Sequence, residues 1–354
     1  MENTSLLLAK PQTIRDQVTR HPLATFLALA YAISWISWLL MWLLPMGTVN
    51  GFSIIGGAGP ALAAIIVSAI LRPEPSGIPT EKRWRLFGMI GVCYLAVLAF
   101  RRLWLATGLT TVAGRVATQV VYPQFWAFLL DALAAAVVAF VLSGVCSRWQ
   151  GVRDLLHSLN PRLSRVRWYW FVIAVGVYPG IVTLSNAISA RVGLPTPAPR
   201  ATGEWYWLAL DLILLFVAVL LGGGGLEEPG WRGLALPLLQ KRHGPLRSSL
   251  ILAIIWAFWH WPMFWFGYYG GGPLGVFFYV LGVAPLVILM TAVFNRTGSS
   301  LPIVILLHTS INTTPAFVPA TALASGLWML LMLGVALWMW RSPQTFASSN
   351  RHNE

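Results

Sequence analysis

Glu227 and Glu228 stand side by side in a stretch of chain that is otherwise almost unbroken hydrocarbon. An ionised side chain at membrane depth is unfavourable by about 2.5–3.5 kcal/mol, so an acid pair placed there indicates a functional site. Arg232 follows Glu228 by one helical turn, and the two can form an ion pair. Glu227 is then the carboxylate with fewer local partners.

Two histidines also lie inside apolar segments. His260 follows Trp259, and His308 precedes Asn312 by one turn on the same helix face. A single membrane histidine is more often a hydrogen-bonded packing residue, but two histidines in a chain with an acid pair favour a common site. Glu228, His260 and His308 each lie 12 or 13 residues from a basic residue at the same predicted membrane face, so they can share one layer.

These residue types suit hydrolysis by activated water. A carboxylate and a neutral imidazole can together deprotonate water, and a second histidine with an amide can donate hydrogen bonds to the developing oxyanion. The sequence has neither a G-x-S-x-G nor an HExxH segment. Glu227, His260 and His308 are nevertheless permissible zinc ligands, so both a metal-free and a zinc-dependent reaction stay open.

The composition indicates the kind of protein that must position these groups. Of 354 residues, 57% are hydrophobic and 10% are charged, and the mean hydropathy is +0.70. These values exclude an ordinary soluble domain and predict an all-α, polytopic transmembrane helical bundle with a buried polar active-site cavity. The net charge of +13 lies between apolar runs, which indicates contact with the lipid bilayer rather than with nucleic acid.

The apolar runs predict eight to ten membrane spans. Basic residues gather at alternate span ends and therefore share one face, which the positive-inside rule makes cytoplasmic, with both termini inside. Runs of sufficient length can be placed at 23–45, 51–71, 85–106, 122–146, 168–190, 205–241, 247–267, 273–294, 299–315 and 319–340.

Polar groups at membrane depth concentrate in one part of the chain. We expect N-terminal transmembrane helices over 1–200, a catalytic core over 205–315, and a last helix with a cytoplasmic tail over 319–354. For Asp131 and Asp211, single acids in long spans, the favoured interpretation is helix–helix hydrogen bonding or a mildly unfavourable insertion that packing tolerates. The four glycines at 222–225 should weaken the helix and let it restart at Glu227, with both acids at its positive end.

The ordered motifs resemble those of the CPBP (ABI) family of intramembrane proteases, which includes type II CAAX prenyl endopeptidases and bacterial relatives linked to bacteriocin processing and immunity. Glu227 to Arg232 fit EExxxR, and His308 to Asn312 fit HxxxN. Trp256 to His260 correspond to FxxxH, with tryptophan in place of phenylalanine. This exchange should change the packing around His260 without removing a reacting group.

The resemblance implies a role for each motif. Glu227 and His260 would activate water, Glu228 and Arg232 would pair to hold the site, and His308 and Asn312 would stabilise the oxyanion. Members are commonly labelled metalloproteases, yet a glutamate-dependent mechanism is favoured for the family. No cofactor is therefore implied firmly, and zinc is the metal to consider.

The sequence thus predicts an endopeptidase in a bacterial plasma membrane that cleaves a membrane-associated peptide or protein near the cytoplasmic side. Prenylated CAAX substrates are implied for one branch of the family. Two alternatives stay open. One is a catalytically silent scaffold or bacteriocin-immunity-type protein with the same fold. The other is a transporter that uses the polar layer as an ion site, which an interrupted helix would suit.

Overall fold

In a computed structural model, the chain is a bundle of helices. The structure describes residues 13–44, 49–77, 79, 81–109, 111–112, 124–159, 166–198 and 200–342. The predicted cytoplasmic tail after 342 lies outside the described residues. The α-helices are α1 (Ile14–Arg20), α2 (Pro22–Leu43), α3 (Val49–Gly57), α4 (Gly59–Leu71), α5 (Glu81–Ala106), α6 (Gln124–Leu142), α7 (Gln150–His157), α8 (Tyr169–Arg191), α9 (Trp205–Val219), α10 (Gly225–Gly230), α11 (Leu236–Gln240), α12 (Pro245–Trp259), α13 (Trp261–Trp265), α14 (Gly275–Arg296), α15 (Leu301–Phe317) and α16 (Ala322–Arg341).

Other regular structure in the described residues is slight. Two-residue strands β1 (Thr111–Val112) and β2 (Ala201–Thr202) pair antiparallel, and a short 3-10 helix covers Gly272–Leu274. The prediction of an all-α bundle is therefore confirmed.

Eight helical segments in the described part of the chain are long and apolar enough to cross a membrane. This number agrees with the predicted eight to ten spans. Pro245–Trp259 and Leu301–Phe317 are apolar but shorter, and they are the helices that bring His260 and His308 into the bundle. The eight long segments are Pro22–Leu43, Gly51–Leu71, Glu81–Ala106, Phe125–Leu142, Tyr169–Arg191, Trp205–Gln240, Gly272–Arg296 and Ala322–Arg341.

The helix that carries the two glutamates is continuous from Trp205 to Gln240. Two π-helical turns, Leu220–Gly224 and Trp231–Ala235, flank α10. The expected restart at Glu227 is wrong, because Gly224 and Gly225 keep right-handed helical torsions, with φ of −51° and −62°. A break would leave backbone N–H and C=O groups unsatisfied in hydrocarbon, whereas a π turn absorbs the irregularity and keeps the hydrogen bonds.

The glycines around α10 allow close packing of neighbouring helices. A Cβ atom at Gly230 would lie 2.5 Å from backbone atoms of Pro60 on α4, and one at Gly222 would lie 2.2 Å from the Tyr94 hydroxyl on α5. Both approaches exclude any larger residue without movement of the partner. The glycine-rich sequence therefore serves helix contact around the acid pair rather than a chain break.

An ion pair joins α5 and α6 away from the acid pair. Arg102 donates from Nε and Nη2 to the two carboxylate oxygens of Asp131, at 2.5 and 3.0 Å, and Asp131 is buried. This is the helix–helix bonding that the sequence favoured for Asp131. Asp211, buried on α9, interacts electrostatically with Arg101 on α5.

Candidate active site

Glu227 is linked across the bundle to the motif of the following helix. Its Oε2 accepts a hydrogen bond of 3.0 Å from Nε1 of Trp256 on α12. A phenylalanine at this position could not donate it. From the sequence, this aromatic exchange was expected to change packing alone. A buried indole N–H usually finds a hydrogen-bond partner, and that tendency was the available signal.

Glu228 is the most heavily compensated charge of the site. Its Oε1 accepts from Nη1 of Arg232 at 3.0 Å, which confirms the predicted pair, and lies 2.7 Å from Nδ1 of His308 on α15. Glu228 and Arg232 are both fully buried. The bond to His308 was not predicted, because it joins residues 80 positions apart.

The rest of the Arg232 guanidinium contacts a methionine sulfur and an aromatic ring. Its Nη2 lies 3.3 Å from the sulfur of Met290 on α14, and its guanidinium lies over the Trp256 ring at 5.2 Å. A cation over an indole face is attracted by the ring quadrupole. Arg232 therefore connects the Glu228 charge to the same tryptophan that holds Glu227.

His260 lies at the C-terminal end of α12, in an aromatic cage. Its Nδ1 is 2.8 Å from the backbone oxygen of Trp256. A carbonyl oxygen only accepts, so Nδ1 carries the proton and Nε2 is the basic nitrogen of the neutral ring. The surrounding ring centroids lie 4.6–5.8 Å from that of His260 and belong to Trp256, Trp259, Tyr269 and Tyr279.

A cavity of about 340 Å³ brings four of the six predicted site residues together. Glu227, His260, His308 and Asn312 line it, whereas Glu228 and Arg232 are not among its lining residues and contact the site through His308 and Trp256. The arrangement can hold a water molecule between a carboxylate and an imidazole, with further polar groups on the opposite side.

The N-terminal helices also contribute to the cavity wall, which was not predicted from the sequence. Tyr94 and Arg101 on α5 and Ser53 on α3 line it, together with Tyr269 and Tyr279. Tyr269 lies in a bend and the others lie in apolar helices, so no local pattern marked them. The unusual signal was Arg101 itself, a charge inside a predicted span.

The donor set does not fit a metal ion as it is arranged. Within the described residues, no group of three or more His, Cys, Asp and Glu side chains is placed to hold one. Glu227 Oε2 and His260 Nδ1 are bonded to Trp256, which leaves Glu227 Oε1 and His260 Nε2 as the atoms that could reach a metal ion. The zinc site at Glu227, His260 and His308 stays a prediction, and no step below depends on it.

The fold and this site define a class of protein: a polytopic helical membrane protein with a carboxylate–histidine cavity inside the bundle. Residues 209–314 match the family model described as Type II CAAX prenyl endopeptidase Rce1-like. The chain is also similar to CAAX prenyl protease 2 of Methanococcus maripaludis, with 23% identity over 203 residues, which cover 52% of this chain and 71% of that protein.

These comparisons confirm the resemblance to the CPBP family of CAAX-type membrane proteases. The matched segment contains all six predicted site residues. In general terms, the family supports an intramembrane endopeptidase.

The buried ion pair generates a stability prediction. Arg232→Met leaves the Glu228 charge buried with one partner fewer, and should lower the free energy of unfolding by about 3–5 kcal/mol. Glu81 and Arg85 form an ion pair with the same spacing but are 86% and 84% exposed, so Arg85→Met is the matched control and should change stability little. Equal unfolding curves for the two variants in detergent would contradict the prediction.

Proposed function

We propose that the protein is an intramembrane endopeptidase in which Glu227 and His260 activate the attacking water. The observation that carries this proposal is the convergence of Glu227, His260, His308 and Asn312 on one cavity. The match of residues 209–314 to the CAAX prenyl endopeptidase family supports the same reaction class.

The reaction begins with a water molecule hydrogen-bonded to Glu227 and to Nε2 of His260. Glu227 takes one proton, and the hydroxide oxygen bonds to the carbonyl carbon of the substrate peptide. The carbonyl oxygen becomes an oxyanion. Glu227 then gives its proton to the amide nitrogen as the C–N bond breaks, which releases a new carboxyl group and a new amine.

His308 and Asn312 are placed to stabilise the oxyanion. Nδ1 of His308 is held by Glu228, so a doubly protonated ring would donate Nε2–H into the cavity while it keeps that bond. Asn312, one turn later on α15, adds an amide donor. Hydrogen-bond donors that are fixed before the reaction stabilise developing charge without reorganisation.

Glu228 and Arg232 would act by positioning. Their pair fixes the ring orientation of His308, and Arg232 supports the Trp256 ring whose N–H binds Glu227. We further propose that 205–315 is the catalytic core, with 1–200 and 319–354 as flanking membrane segments. Both termini would be cytoplasmic, because the basic residues gather at that face.

The substrate we propose is a membrane-associated peptide or protein cleaved near the cytoplasmic side. The similar protein from Methanococcus maripaludis is named a CAAX prenyl protease, so prenylated peptides are the first substrates to test. The transporter alternative rested on an interrupted helix, and Trp205–Gln240 is continuous. A catalytically silent scaffold would keep its biological effect when Glu227 is replaced, whereas the protease would lose it.

The central test removes the two groups that activate water. Glu227→Gln and His260→Ala should each reduce cleavage of a prenylated peptide by at least about a hundredfold, because the first removes the general base and the second removes the imidazole that holds the water. Glu81→Gln and His157→Ala, which lie outside the cavity, are the controls. Full activity in either site variant, with normal membrane insertion, would overturn the assignment.

The bond between Trp256 and Glu227 has a closely matched control. Trp256→Phe removes the indole donor and should lower kcat roughly tenfold, the effect of one hydrogen bond to a charged group. Trp259→Phe deletes the same atoms at an adjacent, equally buried ring, whose Nε1 has no hydrogen-bond partner within the described residues. If the two substitutions reduce kcat equally, only packing is involved.

Removal of bound metal tests whether cleavage requires zinc. Since no group of three or more potential His, Cys, Asp and Glu ligands is placed together within the described residues, we expect activity to persist after dialysis against phenanthroline. Metal analysis of the purified active protein should find less than stoichiometric zinc. Loss of cleavage on chelation, followed by recovery with added zinc, would establish the metal-dependent reaction instead.

A further inference from the structure

A second cavity, of about 440 Å³, lies at the termini of two long apolar segments, and the proposed reaction does not use it. Its wall comes from the turn between α1 and α2 and from the chain at the end of α11. The apolar segment Pro22–Leu43 begins there, and the apolar segment Trp205–Gln240 ends there. Phospholipid headgroups lie at this level of a membrane protein, between the hydrocarbon and the water.

Basic side chains dominate the wall of this second cavity, which we call the basic cavity. Five of its eleven lining residues carry one, and within the described residues no Asp or Glu is among them. The five come from two parts of the chain that are far apart in sequence, and they are Arg20, His21, Lys241, Arg242 and His243. Positive charges held together across one cavity repel each other, whereas an anion between them is attracted by all. The basic cavity therefore favours a negatively charged ligand.

Other basic residues at the predicted cytoplasmic face have acceptors in the protein. Arg72 pairs with Asp154 on α7, and Arg83 donates to a backbone oxygen at 2.6 Å. Within the described residues, the side chains of Lys241 and Arg242 have no hydrogen bond or ion pair of this kind. Both are exposed. An acceptor from outside the protein can therefore reach them.

Arg20 approaches the basic cavity from the end of α1, one turn after Asp16. The carboxylate of Asp16 caps its own helix, because Oδ2 accepts from the backbone N and from Oγ1 of Thr13 at 3.0 and 2.7 Å. From that position Asp16 balances part of the Arg20 charge, but it does not line the basic cavity. The next helix, α2, begins at Pro22, so the positive end of its dipole adds to the positive potential there.

The apolar part of the wall indicates which class of anion fits. Leu239 is buried, Leu238 and Leu23 are half-buried, and all three line the basic cavity. A soluble anion gains nothing from such surface, whereas the glycerol group and first methylene groups of a phospholipid can cover it. The volume of about 440 Å³ lies in the range of small-ligand pockets. Basic pockets between transmembrane helices are known to bind anionic lipid headgroups.

We propose that the basic cavity binds the phosphate of an anionic phospholipid, with Arg20 on one side and Lys241 and Arg242 on the other. Arginine and lysine N–H groups donate to phosphate oxygens, and each charge strengthens the bond. The bound lipid would connect α2, which lies outside the segment that matches the family, to α11, which lies inside it. This inference does not depend on the proposed reaction.

The test measures which lipids stay bound to the purified protein. The full chain in a mild detergent receives equal amounts of phosphatidylglycerol and phosphatidylcholine with the same acyl chains, and native mass spectrometry measures the lipid retained. Both lipids carry a phosphate, but the choline cation cancels its charge. The wild-type protein should retain phosphatidylglycerol at least about tenfold more than phosphatidylcholine. Arg20→Gln, Lys241→Gln and Arg242→Gln, combined in one variant, should bring this ratio close to one.

A second triple variant is the matched control. It combines Lys82→Gln, Arg85→Gln and Arg148→Gln, which are exposed residues of the same types outside the basic cavity. The two variants lose the same net charge, so a general attraction of anionic lipid to a basic protein changes equally in both. The control should keep the wild-type ratio.

Thermal unfolding gives a second readout, because a ligand that binds the folded state raises its unfolding temperature. Phosphatidylglycerol should raise the Tm of the wild-type protein and of the control variant, and it should leave the Tm of the cavity variant unchanged. Unfolding in detergent alone checks that the cavity variant is folded. If it is not, Lys241→Gln and Arg242→Gln are measured singly, and each should lower the lipid ratio about fivefold.

Three results would overturn the lipid site. Equal retention of the two lipids by the wild-type protein would show no preference for an anionic headgroup. An equal fall of the ratio in both triple variants would show that only the net positive charge attracts the lipid. Displacement of phosphatidylglycerol by millimolar inorganic phosphate would show that the basic cavity takes a soluble anion. None of these results would affect the assignment of the peptidase reaction.

Discussion

The site depends on one buried carboxylate, that of Glu228. An uncompensated charge inside a membrane bundle is strongly unfavourable, so it must be paired and hydrogen-bonded. Arg232 supplies one partner from the same helix and His308 supplies the other from α15. The requirement to satisfy Glu228 therefore fixes the orientation of a histidine that lines the cavity.

A second link passes through Trp256. Its indole N–H binds Glu227, its ring faces the Arg232 guanidinium, and its backbone oxygen accepts from His260. Its ring also lies 5.5 Å from that of His308, centroid to centroid, so one residue on α12 contacts four of the six predicted site residues. Trp256 and Glu228 therefore join several helices. The position of each group that lines the cavity depends on the others.

Much of this could be predicted from the sequence, for local reasons. Apolar runs of about 20 residues have few alternatives to membrane helices. The Glu228–Arg232 pair follows from helical spacing alone. The acids and histidines were recognisable because charge and imidazole are rare in such a composition. The predicted restart of the helix at Glu227 was wrong. Glycine weakens a helix locally, but backbone hydrogen bonds must be kept in hydrocarbon, and the helix stays continuous.

The sequence by itself determined the class of fold, the polar residues that can react, and the pairs within one helical turn, because these follow from short-range geometry and from transfer free energies. Only the tertiary structure decided that Glu228 binds His308, that Trp256 donates to Glu227, and that Tyr94 and Arg101 enter the cavity wall. Those contacts join residues far apart in the chain, and their distances depend on how the helices pack. No periodicity or spacing in one segment carries that information.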